Sequence, residues 1–182
     1  LEIFSPLFFN SKQLGLFEST QKIVKSSSEE AEILEEELAG LDENQTLVKI
    51  YIQPKKGEMF EGPDLLRALN HVGMSYGLMN IFHKVVQVEE KKNHMLFSAA
   101  NMFEPGTFNL QAIEAERSKG LVFFMHIPTV LDDGIALEKF LNAAKQVSYT
   151  LGGQLYKNPS DILDNDYLDA LRLKTNFIVE NE

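Results

Sequence analysis

The sequence predicts an α+β domain, a largely antiparallel sheet of the split β-α-β type with helices packed on one face. Three observations carry this. Residues Leu47–Gln53 alternate with period two. Gly77–Lys84, Leu96–Phe108 and Gly120–Pro128 read as strands with apolar residues at both parities. A long apolar stripe from Leu137 to Leu151 has helical spacing.

In chain order, residues 1–45 are expected to form a leader, residues 46–175 the domain and residues 176–182 a tail. Leu1–Phe17 is apolar in patches. It lacks a basic beginning and is broken by Pro6 and by Asn10-Ser11-Lys12-Gln13, so it does not read as a signal peptide. Ser27 and Glu30 match a capping box, and Ser28–Ala39 is expected as a short acidic helix stopped by Gly40. Charge runs of this kind are ordinarily solvated surface.

Within the domain, Val48, Ile50 and Ile52 form the expected core face of the first strand. Pro63 suits a first helical position, Leu65, Leu66, Leu69 and Val72 form one stripe, and Gly73 stops that helix. Gly77–Gln87 and Asn93–Phe103 are expected to pair as an antiparallel hairpin through the charged turn Val88–Lys92. Asn109–Ser118 suits one or two helical turns. Leu121–Ile127 is the strongest strand, and Pro128 ends it. After Asp132-Asp133, a long helix runs to Gly152-Gly153. Leu155-Tyr156 suits an edge strand, and Pro159–Leu171 a final helix through Ile162, Leu163, Tyr167 and Leu171.

Composition bounds the function. The chain has 182 residues, 44% of them hydrophobic, enough for one core. With no Cys, disulfides, thiolate catalysis and Cys-ligated zinc are excluded. A net charge of -10 opposes nucleic-acid binding, which needs clustered Lys and Arg against phosphate. No run approaches the roughly 18 to 20 apolar residues of a membrane-spanning helix, so the chain is expected to be soluble.

Parity sorts the strand side chains. Phe123, Met125 and Ile127 go with the helix-covered core, as do Phe97, Ala99 and Phe103. The opposite face collects Met79, Ile81, Ala100, Met102, Val122 and Phe124, with Leu47 and Tyr51 beside them and Ser98 in the floor. Leu78 and Phe82 are assigned opposite to Met79 and Ile81. Such a face is either covered by the leader or tail, or offered to a partner, and its flexible Met side chains suit a short peptide or amphipathic helix.

The motifs MNIFHK (Met79–Lys84), LFSAANM (Leu96–Met102) with PGTF (Pro105–Phe108), and GLVFFMHIP (Gly120–Pro128) resemble the C-terminal domain family of the bacterial cell-division protein ZipA, from about Leu47 to about Leu171. The resemblance implies an α+β fold with a six-stranded antiparallel sheet, three helices and an exposed apolar sheet face that holds the C-terminal tail peptide of FtsZ. It implies peptide contacts at Leu47, Lys49, Met79, Ile81, Ala100, Met102, Val122 and Phe124. It also implies an adaptor at the cytoplasmic face of the inner membrane at the division septum, with an N-terminal membrane anchor and linker that this chain lacks. Lys49 stands where the family pattern has an apolar contact, and Glu104 where it has a basic one, which bears on charge complementarity to the peptide.

Other functions are weaker. His71, His83, His94 and His126 lack close metal-ligand spacing, and Asp132-Asp133 is better explained as a helix cap than as a carboxylate pair. The glycines form neither a P-loop nor a dinucleotide fingerprint. No catalytic residue, cofactor or metal is expected. An RNA-binding sheet is the alternative class, but the outer face offers Phe124, with Tyr51 at its side, and no basic rim. A different peptide partner is the other alternative.

Overall fold

The computed structural model describes residues 46–89 and 92–175. The expected leader, its acidic helix and the tail lie outside the described residues.

The first strand, β1 (Thr46–Gln53), buries Val48, Ile50 and Ile52 on one side, as its alternation predicts. The two-residue β2 (Phe60–Glu61) leads into α1 (Gly62–His71), with Pro63 in its first turn where a missing N–H costs nothing. Its stripe buries Leu65, Ala68 and Leu69, and Gly73 ends it with a φ of 72°. The Lys84 ammonium donates to the Val72 carbonyl at 3.0 Å, placing a cation at the negative end of α1.

β3 (Ser75–Tyr76) is followed by a 3₁₀ turn (Leu78–Asn80), then β4 (Phe82–Glu89) and β5 (Lys92–Asn101). β4 and β5 form the expected antiparallel hairpin, with register shifts after Lys84 and Gln87. A second 3₁₀ segment (Leu110–Ala115) precedes β6 (Arg117–Ser118), which pairs with β2 in a small separate sheet. β7 (Leu121–Ile127), α2 (Asp133–Thr150), β8 (Gln154–Tyr156) and α3 (Asn165–Lys174) complete the order.

The main sheet has six strands in the order β3-β4-β5-β7-β1-β8, and every pairing is antiparallel. Its edges are the two- and three-residue strands β3 and β8, too short to template further pairing. Residues from α1, α2 and α3 pack in one cluster with Val48, Ile50, Ile52, Phe82, Phe97, Ala99, Phe123 and Met125. Phe140 of α2 meets Phe97 edge-on at 5.6 Å and Phe123 at 6.3 Å, which pins the long helix across β5 and β7.

Four expectations require correction. The strand expected from Gly77 begins at Phe82, because Met79 and Asn80 hold positive φ values of 61° and 57° in the 3₁₀ turn. Met79 and Ile81 therefore share a face through a turn and not through strand alternation. Phe103 packs with the second face and not the core, because β5 ends at Asn101 and the period-two count stops there. The final helix begins at Asn165, not at Pro159, since Asp164 accepts from the Tyr167 N–H at 2.8 Å and caps it. Ile162 instead bridges to Tyr156 and is exposed.

The PGTF segment serves the fold. The Asn101 N–H donates to the Gly106 carbonyl at 3.2 Å, the Phe108 N–H donates to Asn80 at 2.8 Å, and the Phe108 ring meets Phe82 edge-on at 5.4 Å. These contacts tie the end of β5 to the 3₁₀ turn before β4.

Two substitutions test the packing. A Cβ at Gly62 would lie 2.0 Å from the Ile113 carbonyl oxygen, a backbone atom that cannot swing away. Gly62→Ala should lower the stability measured by urea unfolding by roughly 1–3 kcal/mol, the usual range for overpacking. Asp132 accepts from the Ile135 N–H at 3.0 Å, so Asp132→Ala should cost about 1 kcal/mol in the same measurement. An unchanged midpoint in either variant would refute the contact assigned to it.

Candidate functional site

The sheet face opposite the helices carries its own apolar cluster. Tyr51, Ile81, Ala100, Met102, Val122 and Phe124 form its centre, and Leu47, Met79, Phe103 and Tyr156 pack around them. Strand register explains the grouping. Val122 lies opposite Tyr51 on one side and Ala100 on the other, and Tyr51 lies opposite Tyr156, giving one row across four strands. The next row runs Lys49, Phe124, Ser98, His83 and Ser75 across five strands. A third begins with Leu47 opposite His126.

All eight residues implied by the resemblance therefore fall on or beside this face: seven belong to the cluster or its surround, and Lys49 is in register with Phe124. Lys49 is half-buried, while Glu104 is exposed in the loop after Met102. Met102 continues the line of β5 by donating its N–H to the Gly120 carbonyl at 2.8 Å. A Cβ at Gly120 would lie 2.8 Å from the Met102 sulfur, so the glycine leaves room for the thioether. The six central residues are 0–6% exposed, whereas Leu47, Lys49 and Met79 at the periphery are half-buried.

Sequence reasoning placed Tyr51 beside the face but missed Phe103 and Tyr156. Tyr156 comes from a three-residue edge strand that is brought in by long-range pairing with β1. It also missed the bond between two polar residues of this face. His83 Nδ1 lies 2.8 Å from Ser98 Oγ, and His83 Nε2 lies 2.9 Å from the Leu78 carbonyl. Because a carbonyl can only accept, the neutral ring carries its proton on Nε2, and Nδ1 accepts from the Ser98 hydroxyl. Both side chains are buried; the His83–Ser98 bond fixes the floor beside Phe124, and the His83–Leu78 bond anchors the 3₁₀ turn that carries Met79.

Burial pushes the His83 imidazole below its ordinary pKa, and the bond to Leu78 opposes that shift in part. His126, on the same face, is also pushed down by burial. Among the described residues, no group of three His, Asp or Glu side chains is arranged to hold a metal ion. The chemistry available is apolar contact with a few polar groups at the periphery.

The depressed His83 pKa has a definite sign. The unfolded chain binds the proton more readily, so this contribution to stability is complete above the unfolded value of about 6.5 and is lost as pH falls through the folded value. Stability measured by denaturant unfolding should therefore fall between pH 7.5 and pH 5, and the fall should be shallower in His83→Gln. Parallel curves for the two proteins would exclude a proton-linked His83.

Comparison with known sequences adds an independent observation. Residues 46–174 match the family described as ZipA, C-terminal FtsZ-binding domain. The chain is 31% identical over 124 residues to the cell division protein ZipA of Actinobacillus pleuropneumoniae serotype 5b, covering 68% of this chain and 37% of that protein. It is 31% identical over 166 residues to ZipA of Shewanella putrefaciens, covering 88% of this chain and 48% of that protein. Over 144 residues it is 33% identical to ZipA of Shewanella woodyi, covering 79% and 45% respectively. The chain thus spans less than half the length of these relatives.

Proposed function

The chain belongs to the family of ZipA C-terminal FtsZ-binding domains, and from that premise we propose that its second sheet face binds the C-terminal tail peptide of FtsZ. The observation that carries this reading is the convergence of Leu47, Lys49, Met79, Ile81, Ala100, Met102, Val122 and Phe124, drawn from four segments of the chain, onto one face away from the helices. The domain is a cell-division adaptor, not an enzyme. Residues 46–175 form the binding unit, with 1–45 as a leader and 176–182 as a tail.

Binding proceeds by burial of an apolar stripe of the peptide. Ala100 and Ser98 supply a low floor, and Met79, Met102 and Phe124 supply side chains that repack around irregular apolar shapes. The half-buried Lys49 gives the periphery a positive charge that orients an acidic group of the peptide. A short peptide on one sheet face reaches an affinity on the order of micromolar, about -8 kcal/mol. Many copies of the partner along a polymer then raise the effective affinity without new contacts.

The described residues contain no helix long and apolar enough to cross a membrane. We assign attachment to the cytoplasmic face of the inner membrane at the septum to an N-terminal anchor, so that the domain links the FtsZ ring to the membrane through a tether.

The test is calorimetric titration with the FtsZ C-terminal tail peptide from the same bacterium. Phe124 lies away from the helix-covered core, so Phe124→Ala should retain its circular dichroism spectrum and lose about 2 kcal/mol of binding, roughly thirtyfold. Equal binding by the two proteins would remove Phe124 from the interface. If the well-folded wild-type chain did not bind the peptide, the proposed partner would be overturned.

A further inference from the structure

We propose that His83 is a positioning residue for peptide recognition: its bond to the Leu78 carbonyl holds the turn between β3 and β4 toward the second sheet face, and through Met79 in that turn it sets the affinity for the peptide. The inference deepens the peptide-binding reading above and, for its effect on affinity, rests on it.

The turn has an unusual backbone. Ser75 pairs with His83 and Tyr76 with Phe82, so residues 77–81 connect an antiparallel hairpin at the edge of the sheet. The Gly77 N–H donates to the Ile81 carbonyl at 2.9 Å and closes it. Inside, Met79 with a φ of 61° and Asn80 with a φ of 57° both take the left-handed conformation. That conformation crowds the Cβ of any residue but glycine, so two in succession persist where surrounding contacts hold them.

Two sets of contacts do so, one from each side of the sheet. On the core side, Tyr76 Oη lies 3.0 Å from Asn80 Oδ1, and the Phe108 N–H donates to the Asn80 carbonyl at 2.8 Å. Phe108 belongs to the helix-covered core, and Tyr76 packs against it. On the second face, His83 Nε2 donates to the Leu78 carbonyl at 2.9 Å. The first set fixes the residue after Met79 and the second fixes the residue before it. His83 stands in one row with Ser98 and Phe124, so its bond draws the turn toward the face that carries the apolar cluster. A Cβ at Gly77 would lie 3.4 Å from His83 Cδ2, which places the ring directly against the turn.

The imidazole acts through the turn and not on the peptide. Both of its nitrogens have partners, Ser98 Oγ at 2.8 Å and the Leu78 carbonyl, so neither is left to bond a ligand. Met79 packs at the margin of the apolar cluster and is among the proposed peptide contacts. Its side chain is flexible, and a turn that also moved would leave it in place for part of the time. The apparent dissociation constant of the peptide would then rise by the reciprocal of that fraction.

The experiment uses the full chain and two substitutions that differ in reach. In His83→Gln the amide nitrogen can take the place of Nε2 and donate to Leu78. In His83→Asn the shorter amide can take the place of Nδ1, meet Ser98 and fall short of Leu78. Calorimetry with the FtsZ tail peptide should show His83→Asn binding about tenfold more weakly than the wild type, and His83→Gln within about threefold of it. In a Met79→Ala background, His83→Asn should change the affinity by less than about twofold, because the side chain it acts through is gone. A merely structural histidine would weaken binding equally in both backgrounds. That result, or equal binding by His83→Asn and the wild type, would overturn the proposal.

A second readout needs no peptide. The Met79 methyl NMR signal should move in His83→Asn and stay near its wild-type position in His83→Gln, with the core methyls of Met74 and Met125 in place in both. An unmoved Met79 signal in His83→Asn would overturn the proposal. If Met79 moves as expected and the peptide binds none of the proteins, the positioning of Met79 stands and the partner reading fails. Should His83→Asn not fold, the wild-type ring decides: its nitrogen-15 spectrum should show a slowly exchanging proton on Nε2, and a proton on Nδ1 alone would leave Leu78 without a donor and overturn the proposal.

Discussion

The central constraint of this domain is that β7 is buried on both faces. Leu121, Phe123, Met125 and Ile127 enter the helix-covered core, while Val122 and Phe124 enter the second cluster. Adjacent strand residues necessarily point to opposite faces, so one seven-residue segment supplies both interiors. β1 and β5 flank β7 and extend both clusters, with Ile50 and Ala99 beside Phe123 and Lys49 and Ser98 beside Phe124. The second apolar face is thus the reverse side of the folding core.

That arrangement separates the two apolar faces in space while coupling them through the backbone. Helix packing through Phe97, Phe123 and Phe140 fixes the positions of β5 and β7, and these positions space Ala100, Val122 and Phe124 on the reverse. The side chains on the reverse form a cluster separate from the one the helices join. The buried His83–Ser98 pair is the polar element in this floor. It costs little because both ring nitrogens have partners, and it holds the turn carrying Met79 against the sheet.

Much of this was legible locally. The alternation of Val48, Ile50 and Ile52 against Leu47 and Tyr51, and of Phe123 and Met125 against Val122 and Phe124, assigned each side chain to the correct face. The helical stripe through Leu137, Phe140, Leu141, Ala144 and Val147 located α2, and Asp132 and Gly152 marked its ends. Where periodicity stopped, the reading failed. Phe103 was counted as a core residue because the strand was extended past Asn101. The segment before Phe82 was read as strand because its positive-φ turn leaves no apolar pattern.

By itself the sequence determined two apolar faces, their membership along each long strand, and the class of a sheet covered by helices. Tertiary structure alone decided which strands are neighbours, and hence that Tyr156, Tyr51, Val122 and Ala100 form one row. It also decided the two-residue strands β2, β3 and β6, which are too short to carry a period. The reason is physical: the face a residue takes is set by its immediate chain geometry, whereas the residue beside it across the sheet is set by hydrogen bonds between segments remote in sequence.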